Sequence, residues 1–224
     1  MTQTDSGLPT GQLILVPALI TLAVTVLRFV GEIKQWSPNW FNHQMGLSVV
    51  AIVWLAPFFG VYFELRLRAL GQQPVSAWRA IGLAVLAALI VLFLPGLLPF
   101  RFVFPGRLLY GWSFLVLAAA VTLPGWPALF QCMLAYAYAA RIPVAILMFF
   151  AMRNNLGTHY DAVPRDLPAG IGFWPKYLWL AFFAQLVYWV ATTIVIGMLF
   201  GTIAAGVARL VRDLHPHDAT EPMA

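Results

Sequence analysis

Several stretches of this chain run for about 18 residues or more with at most one charge, the length at which an apolar segment becomes long enough to cross a bilayer. Of its 224 residues, 62% are hydrophobic and only 9% are charged. A soluble domain is about a quarter charged. Each charge placed at the centre of a bilayer costs roughly 2.5–3.5 kcal/mol on insertion scales, so a hydrocarbon solvent selects for this depletion. The expectation is an all-α integral membrane protein, a polytopic bundle of about six transmembrane helices without a soluble domain.

The spans are expected at 13–30, 47–65, 80–98, 108–122, 128–152 and 177–207, within a single domain covering 1–211. The segment 212–224, with Pro216 and two histidines, has no apolar period and is expected to be a disordered tail. The first residues lack Lys and Arg, so Leu13–Val30 reads as a retained helix rather than a secretory signal. The last span is longer than a bilayer needs, which predicts tilt or projection beyond the lipid. Trp36, Trp40 and Phe41 are amphipathic aromatics of the kind that sit at a membrane interface.

The net charge of +5 is no sign of nucleic-acid binding, because the basic residues scatter through loops and helix ends. Contact with membrane lipids accounts for them. Seven basic residues fall on one side of a six-span arrangement and five on the other, too even to fix orientation by the positive-inside rule. Arginine far outnumbers lysine, present only as Lys34 and Lys176. That usage points to a bacterial, GC-rich coding sequence and a multi-pass protein of the cytoplasmic membrane.

The residue inventory narrows the chemistry. All four histidines (His43, His159, His215 and His217) fall in loops or the tail, which argues against an intramembrane haem or an HExxH metalloprotease. Neither lysine is placed for a Schiff base. Cys132 is the only cysteine, so neither an intramolecular disulfide nor a cysteine zinc site is available. No cofactor and no metal are expected, and a non-catalytic role in binding, transport or membrane-complex assembly fits best.

Two places stand out. Arg141 lies about 20 Å from either end of its span, and an ionisable residue at that depth marks a site by default. Pro143 frees the carbonyl of Ala139, which the guanidinium can satisfy; the segment can also break there as a re-entrant turn. Gln131, Tyr138 and Arg141 fall within one arc of the helix. Gln185, Tyr188 and Thr192 share a face of the last span at matching depth. These six residues are the candidate ligand-binding cluster, with structural glue between helices as the competing reading. Arg141 is expected to face the interior, with a cavity reaching it from the side of Asp161 or Glu32.

The second place is the loop 153–161. His159 and Asp161 can pair as base and orienter, the basis for an alternative reading as a lipid- or head-group-modifying enzyme at the membrane surface. A helix end followed by Gly157 and an interfacial turn explains the same residues structurally. Finally, Gly197 and Gly201 form a GxxxG, extended by Thr193 and Ala205. The stripe predicts close helix packing, within the chain or with a second copy or partner subunit.

Overall fold

The computed structural model describes residues 8–37, 39–41, 50–97, 102–164, 167–168 and 170–214. It is 79% helical with no strand, which places the described residues in the all-α class. Six helices follow one another back and forth: α1 (Thr10–Ile33), α2 (Leu55–Ala69), α3 (Ala77–Leu97), α4 (Gly106–Thr122), α5 (Pro127–Asn154) and α6 (Phe173–Leu214). By length and composition α1, α3, α5 and α6 are long and apolar enough to cross a membrane. α4 and α2, at 17 and 15 residues, fall short of the roughly 20 residues that a span perpendicular to a bilayer needs.

The helix ends obey local rules. Pro127 opens α5 at a position where its missing N–H has no intrahelical partner to lose. The same helix stops at Asn155, whose φ of 49° takes the left-handed conformation that asparagine tolerates. Gly71, at φ 71°, ends the segment after α2 in the same way. The expected span 47–65 is corrected to Leu55–Ala69. Ala51 is extended, Ile52–Trp54 forms one 3₁₀ turn, and Pro57 falls in the first turn of the helix. A continuous helix from 47 would have placed Pro57 in its interior, costing a hydrogen bond and a clash with the preceding turn. Residues 47–49 lie outside the described residues. Arg212, Asp213 and Leu214, expected in the tail, continue α6; the rest of that segment lies outside the described residues.

The core forms where α6 packs on α2, α3, α4 and α5, with α1 docked against α5. α3 presents small residues, Ala77, Ala80, Ala84 and Ala87, and buries all four. The glycine stripe of α6 is used inside the chain. A Cβ on Gly60 of α2 would run into the Gly197 carbonyl, and one on Gly201 would come within 2.7 Å of the Gly60 carbonyl. Gly197 and Gly201 are both buried, Gly201 against Gly60 of α2 and Gly197 against Met133 of α5. The outward faces are apolar: Leu15, Leu19, Leu92, Phe93, Ile146 and Phe150 are all exposed. A bundle that is apolar outside as well as inside suits a hydrocarbon solvent.

α6 is not a uniform helix. Leu178–Phe182 and Ala184–Trp189 are π-helical, and regular α-helix resumes at Val190. A turn closed by i→i+5 hydrogen bonds holds more residues than an α turn, so the inward face advances along the sequence. That shift decides which side chains of α6 meet Arg141.

Candidate functional site

α1 sets the first wall of the site. Thr21, Thr25, Arg28 and Glu32 recur every three or four residues and so lie on one face; all four are buried. Thr21 donates to the Pro17 carbonyl at 2.8 Å, Thr25 donates to the Thr21 carbonyl at 2.9 Å, and the Tyr136 hydroxyl of α5 meets Thr21 Oγ1 at 2.9 Å. Arg28 Nε donates to Glu32 Oε1 at 2.9 Å. The same carboxylate oxygen lies 2.6 Å from His159 Nδ1, and Glu32 Oε2 accepts the His159 backbone N–H at 2.9 Å. Glu32 therefore ties α1 to the loop after α5 through both main chain and side chain.

α5 and α6 supply the opposite walls. Arg141 is only 6% exposed. Its guanidinium carbon lies 4.8 Å from the centre of the Trp189 ring, a cation–π distance. One terminal nitrogen reaches Thr193 Oγ1 at 3.4 Å, while its Nε has no hydrogen-bond partner. The guanidinium turns to α6 and not back to the Ala139 carbonyl that Pro143 leaves free. Gln185 is buried too: its Nε2 donates to Met148 Sδ at 3.3 Å, and its Oε1 has no partner.

These residues enclose a cavity of about 160 Å³. Its polar lining is Arg28, Arg141, His159, Tyr160, Gln185 and Trp189; Val144, Met148 and Leu180 are among the apolar residues between them. No carboxylate is among the described residues that line it. One terminal nitrogen of Arg28 is also buried without a partner. Two arginines on the wall of this cavity thus carry buried N–H groups without partners.

The loop after α5 closes the site from above. Asp161 accepts the Gly157 N–H at 2.8 Å, and the Thr158 N–H and hydroxyl at 2.7 Å each. Burial pushes its carboxyl upward, but these hydrogen bonds outweigh it and hold the group below its ordinary value. Tyr160 packs edge-on to Phe29, and its hydroxyl donates to the Thr25 carbonyl at 3.4 Å. Burial pushes its phenol well above the usual tyrosine range.

Of the residues singled out from sequence, the structure brings Arg141, Gln185 and His159 to one cavity. Gln131 and Tyr138 are exposed, because Arg141 lies near the edge of the buried face of α5 and the arc it shares with them runs on outward. The π-helical register moves the inward face of α6 from Gln185, Tyr188 and Thr192 to Gln185, Trp189 and Thr193. Tyr188 packs against the main core, and the Thr192 hydroxyl donates to the Tyr188 carbonyl. His159 and Asp161 do not pair: Asp161 holds its own turn, and His159 meets Glu32. Arg28, Glu32, Trp189 and Thr193 belong to the site, and sequence reasoning missed them as members of it. The three- and four-residue recurrence of polar side chains along α1 was the available signal. His43, His215 and His217 lie outside the described residues.

No protein-family model, curated protein or solved structure matches this chain.

Proposed function

We propose that this chain is a multi-pass protein of a bacterial cytoplasmic membrane whose role is to bind a small organic anion between α1, α5 and α6, in the service of transport or of a membrane complex. Four helices of spanning length and an apolar exterior support the membrane placement, and the excess of arginine over lysine supports the bacterial one. The observation that carries the binding role is the Arg141 environment. Arginine cannot shed its charge by deprotonation at any ordinary pH, and no carboxylate faces it across the cavity. Trp189 and Thr193 offset only part of the cost of that buried charge. An anion seated between Arg141 and Arg28 would accept from both unsatisfied N–H groups, and charge-assisted hydrogen bonds of this kind are among the strongest available. Gln185, by rotating its amide, offers the ligand either an acceptor or a donor.

Size narrows the ligand class. Cavities of about 150 Å³ accommodate a benzene-sized guest, so the space suits a compact carboxylate with an apolar body. Lipid contact is confined to the outer surface in this reading. The test uses the protein purified in detergent, with benzoate as probe and benzamide as its uncharged counterpart, followed by calorimetry and by quenching of tryptophan fluorescence at Trp189. Saturable binding of benzoate but not benzamide is expected, and it should vanish in Arg141→Met while the melting temperature holds or rises. An Arg141→Met protein that cannot fold would assign the arginine to holding α5 on α6 instead.

A further inference from the structure

A second cavity, of about 220 Å³, lies at the opposite end of the bundle, where α2 hands over to α3, α5 begins and α6 ends. Its charged lining is Glu64, Arg68, Arg209, Arg212 and Asp213, and Trp126 forms part of the wall with its indole N–H fixed on the Gln72 carbonyl at 2.9 Å. Glu64 is 1% exposed. Its Oε1 is held by Arg68, whose Nε lies 2.7 Å away, while its Oε2 is buried without a hydrogen-bond partner. A buried carboxylate oxygen left without a donor is costly. Arg209 and Arg212 are exposed on the last turns of α6 and form no ion pair among the described residues.

We infer that this cavity is a binding site for an ammonium–phosphate zwitterion, the head group of an ethanolamine-type phospholipid. A phosphate alone would sit beside Glu64 and Asp213, and a bare cation would sit beside three arginines. A molecule carrying both charges a few bonds apart satisfies each set: the phosphate accepts from Arg209 and Arg212, and the ammonium donates to Glu64 Oε2. A primary ammonium has three N–H donors, whereas a quaternary one has none to give that oxygen. The cavity therefore selects ethanolamine over choline. Its position at the end of the helices puts it at head-group level if the chain spans a membrane. The inference rests on that placement and not on the Arg141 cavity at the other end.

The experiment embeds the full chain in nanodiscs of mixed phosphatidylethanolamine, its N-methylated series, phosphatidylcholine and phosphatidylglycerol, and identifies retained lipid by native mass spectrometry. Retention should hold through the mono- and dimethylated head groups, which keep an N–H, and fall by about tenfold at choline, the worth of one charge-assisted hydrogen bond. Glu64→Gln should erase that preference while phosphate-dependent retention survives; Arg209→Ala with Arg212→Ala should erase both. Competition by soluble O-phosphoethanolamine would assign the same chemistry to a soluble source, and its failure to compete would assign it to the lipid. Arg141→Met should leave the preference unchanged. Equal retention of ethanolamine and choline lipids by the unaltered protein overturns the inference whether or not any variant folds. Retention of phosphatidylglycerol as strong as that of phosphatidylethanolamine overturns it as well, since it would mean an anion site alone.

Discussion

The two ends of the bundle each hold an Arg–Glu pair four residues apart with its glutamate buried, but in opposite order. At one end Arg28 precedes Glu32 near the C-terminus of α1; at the other Glu64 precedes Arg68 near the C-terminus of α2. The second order is the favourable one, because the arginine faces the negative end of the helix dipole and the acid-before-base spacing aligns the side chains. Glu32 has the reverse placement, an acid in the last turn. It is buried nonetheless because a distant loop supplies what the helix does not: the backbone N–H and ring of His159. One pair is made within a single helix; the other is completed only by tertiary structure. The difference also explains why one end has a cavity with two arginines partly free of anions, and the other a cavity with a carboxylate oxygen to spare.

The comparison breaks most visibly if the acids are removed. Glu32→Ala leaves Arg28 buried opposite nothing and the His159 N–H without its acceptor. Taking one partner from a buried pair costs about 3–5 kcal/mol. Glu64→Ala should cost less, about 1–3 kcal/mol, because the Arg68 side chain is 25% exposed and can turn to water, whereas that of Arg28 is 6% exposed. Equilibrium unfolding in detergent measures both, and equal losses would show that the exposure of the arginine does not decide the cost here.

A smaller effect sharpens the contrast by asking what holds the Glu64 end together if not its ion pair. The close approach of α2 to α6 at Gly60 predicts that Gly60→Ala costs about 1–3 kcal/mol through overpacking, since its new Cβ meets backbone and not a flexible side chain. Gly82, inside α3 with nothing near its missing Cβ, should instead gain about 0.5–1 kcal/mol on becoming alanine. Thermal unfolding of the two variants should therefore move in opposite directions.

What the sequence reveals and what it hides follow the same division. The helical class, five of the six helix positions and the inward turn of Arg141 were legible, since apolar run length, proline and glycine act locally. The GxxxG was legible as a tight contact, though not its partner, Gly60. Two things were hidden for physical reasons. The π-helical stretch before Val190 changes which residue follows Gln185 on the inner face, and no local residue pattern announces a changed hydrogen-bond register. The Glu32–His159 contact joins residues 127 positions apart, so the acid that the sequence offers His159 is the near one, Asp161. That carboxylate has the right chemistry but is consumed by its own turn.

The role of that turn can be tested, and it carries the smallest expected effect. Asp161 fixes the Gly157 and Thr158 amides, and that turn immediately precedes and orients the peptide of His159. Its carboxyl is held below the ordinary aspartate value of 3.8, so the unfolded chain binds more protons than the folded one in the window between the two values. The stability it contributes is full above 3.8 and is lost as pH falls through the lower folded value. Asp161→Asn should cost about 1 kcal/mol at neutral pH, remove that acid-side slope and speed hydrogen exchange at the Gly157 and Thr158 amides. If the turn positions His159 for Glu32, then combining Asp161→Asn with Glu32→Gln should destabilise less than the two costs added, by about 0.5 kcal/mol or more, as residues sharing one network do. Strict additivity would mean that Glu32 captures His159 without help from the turn.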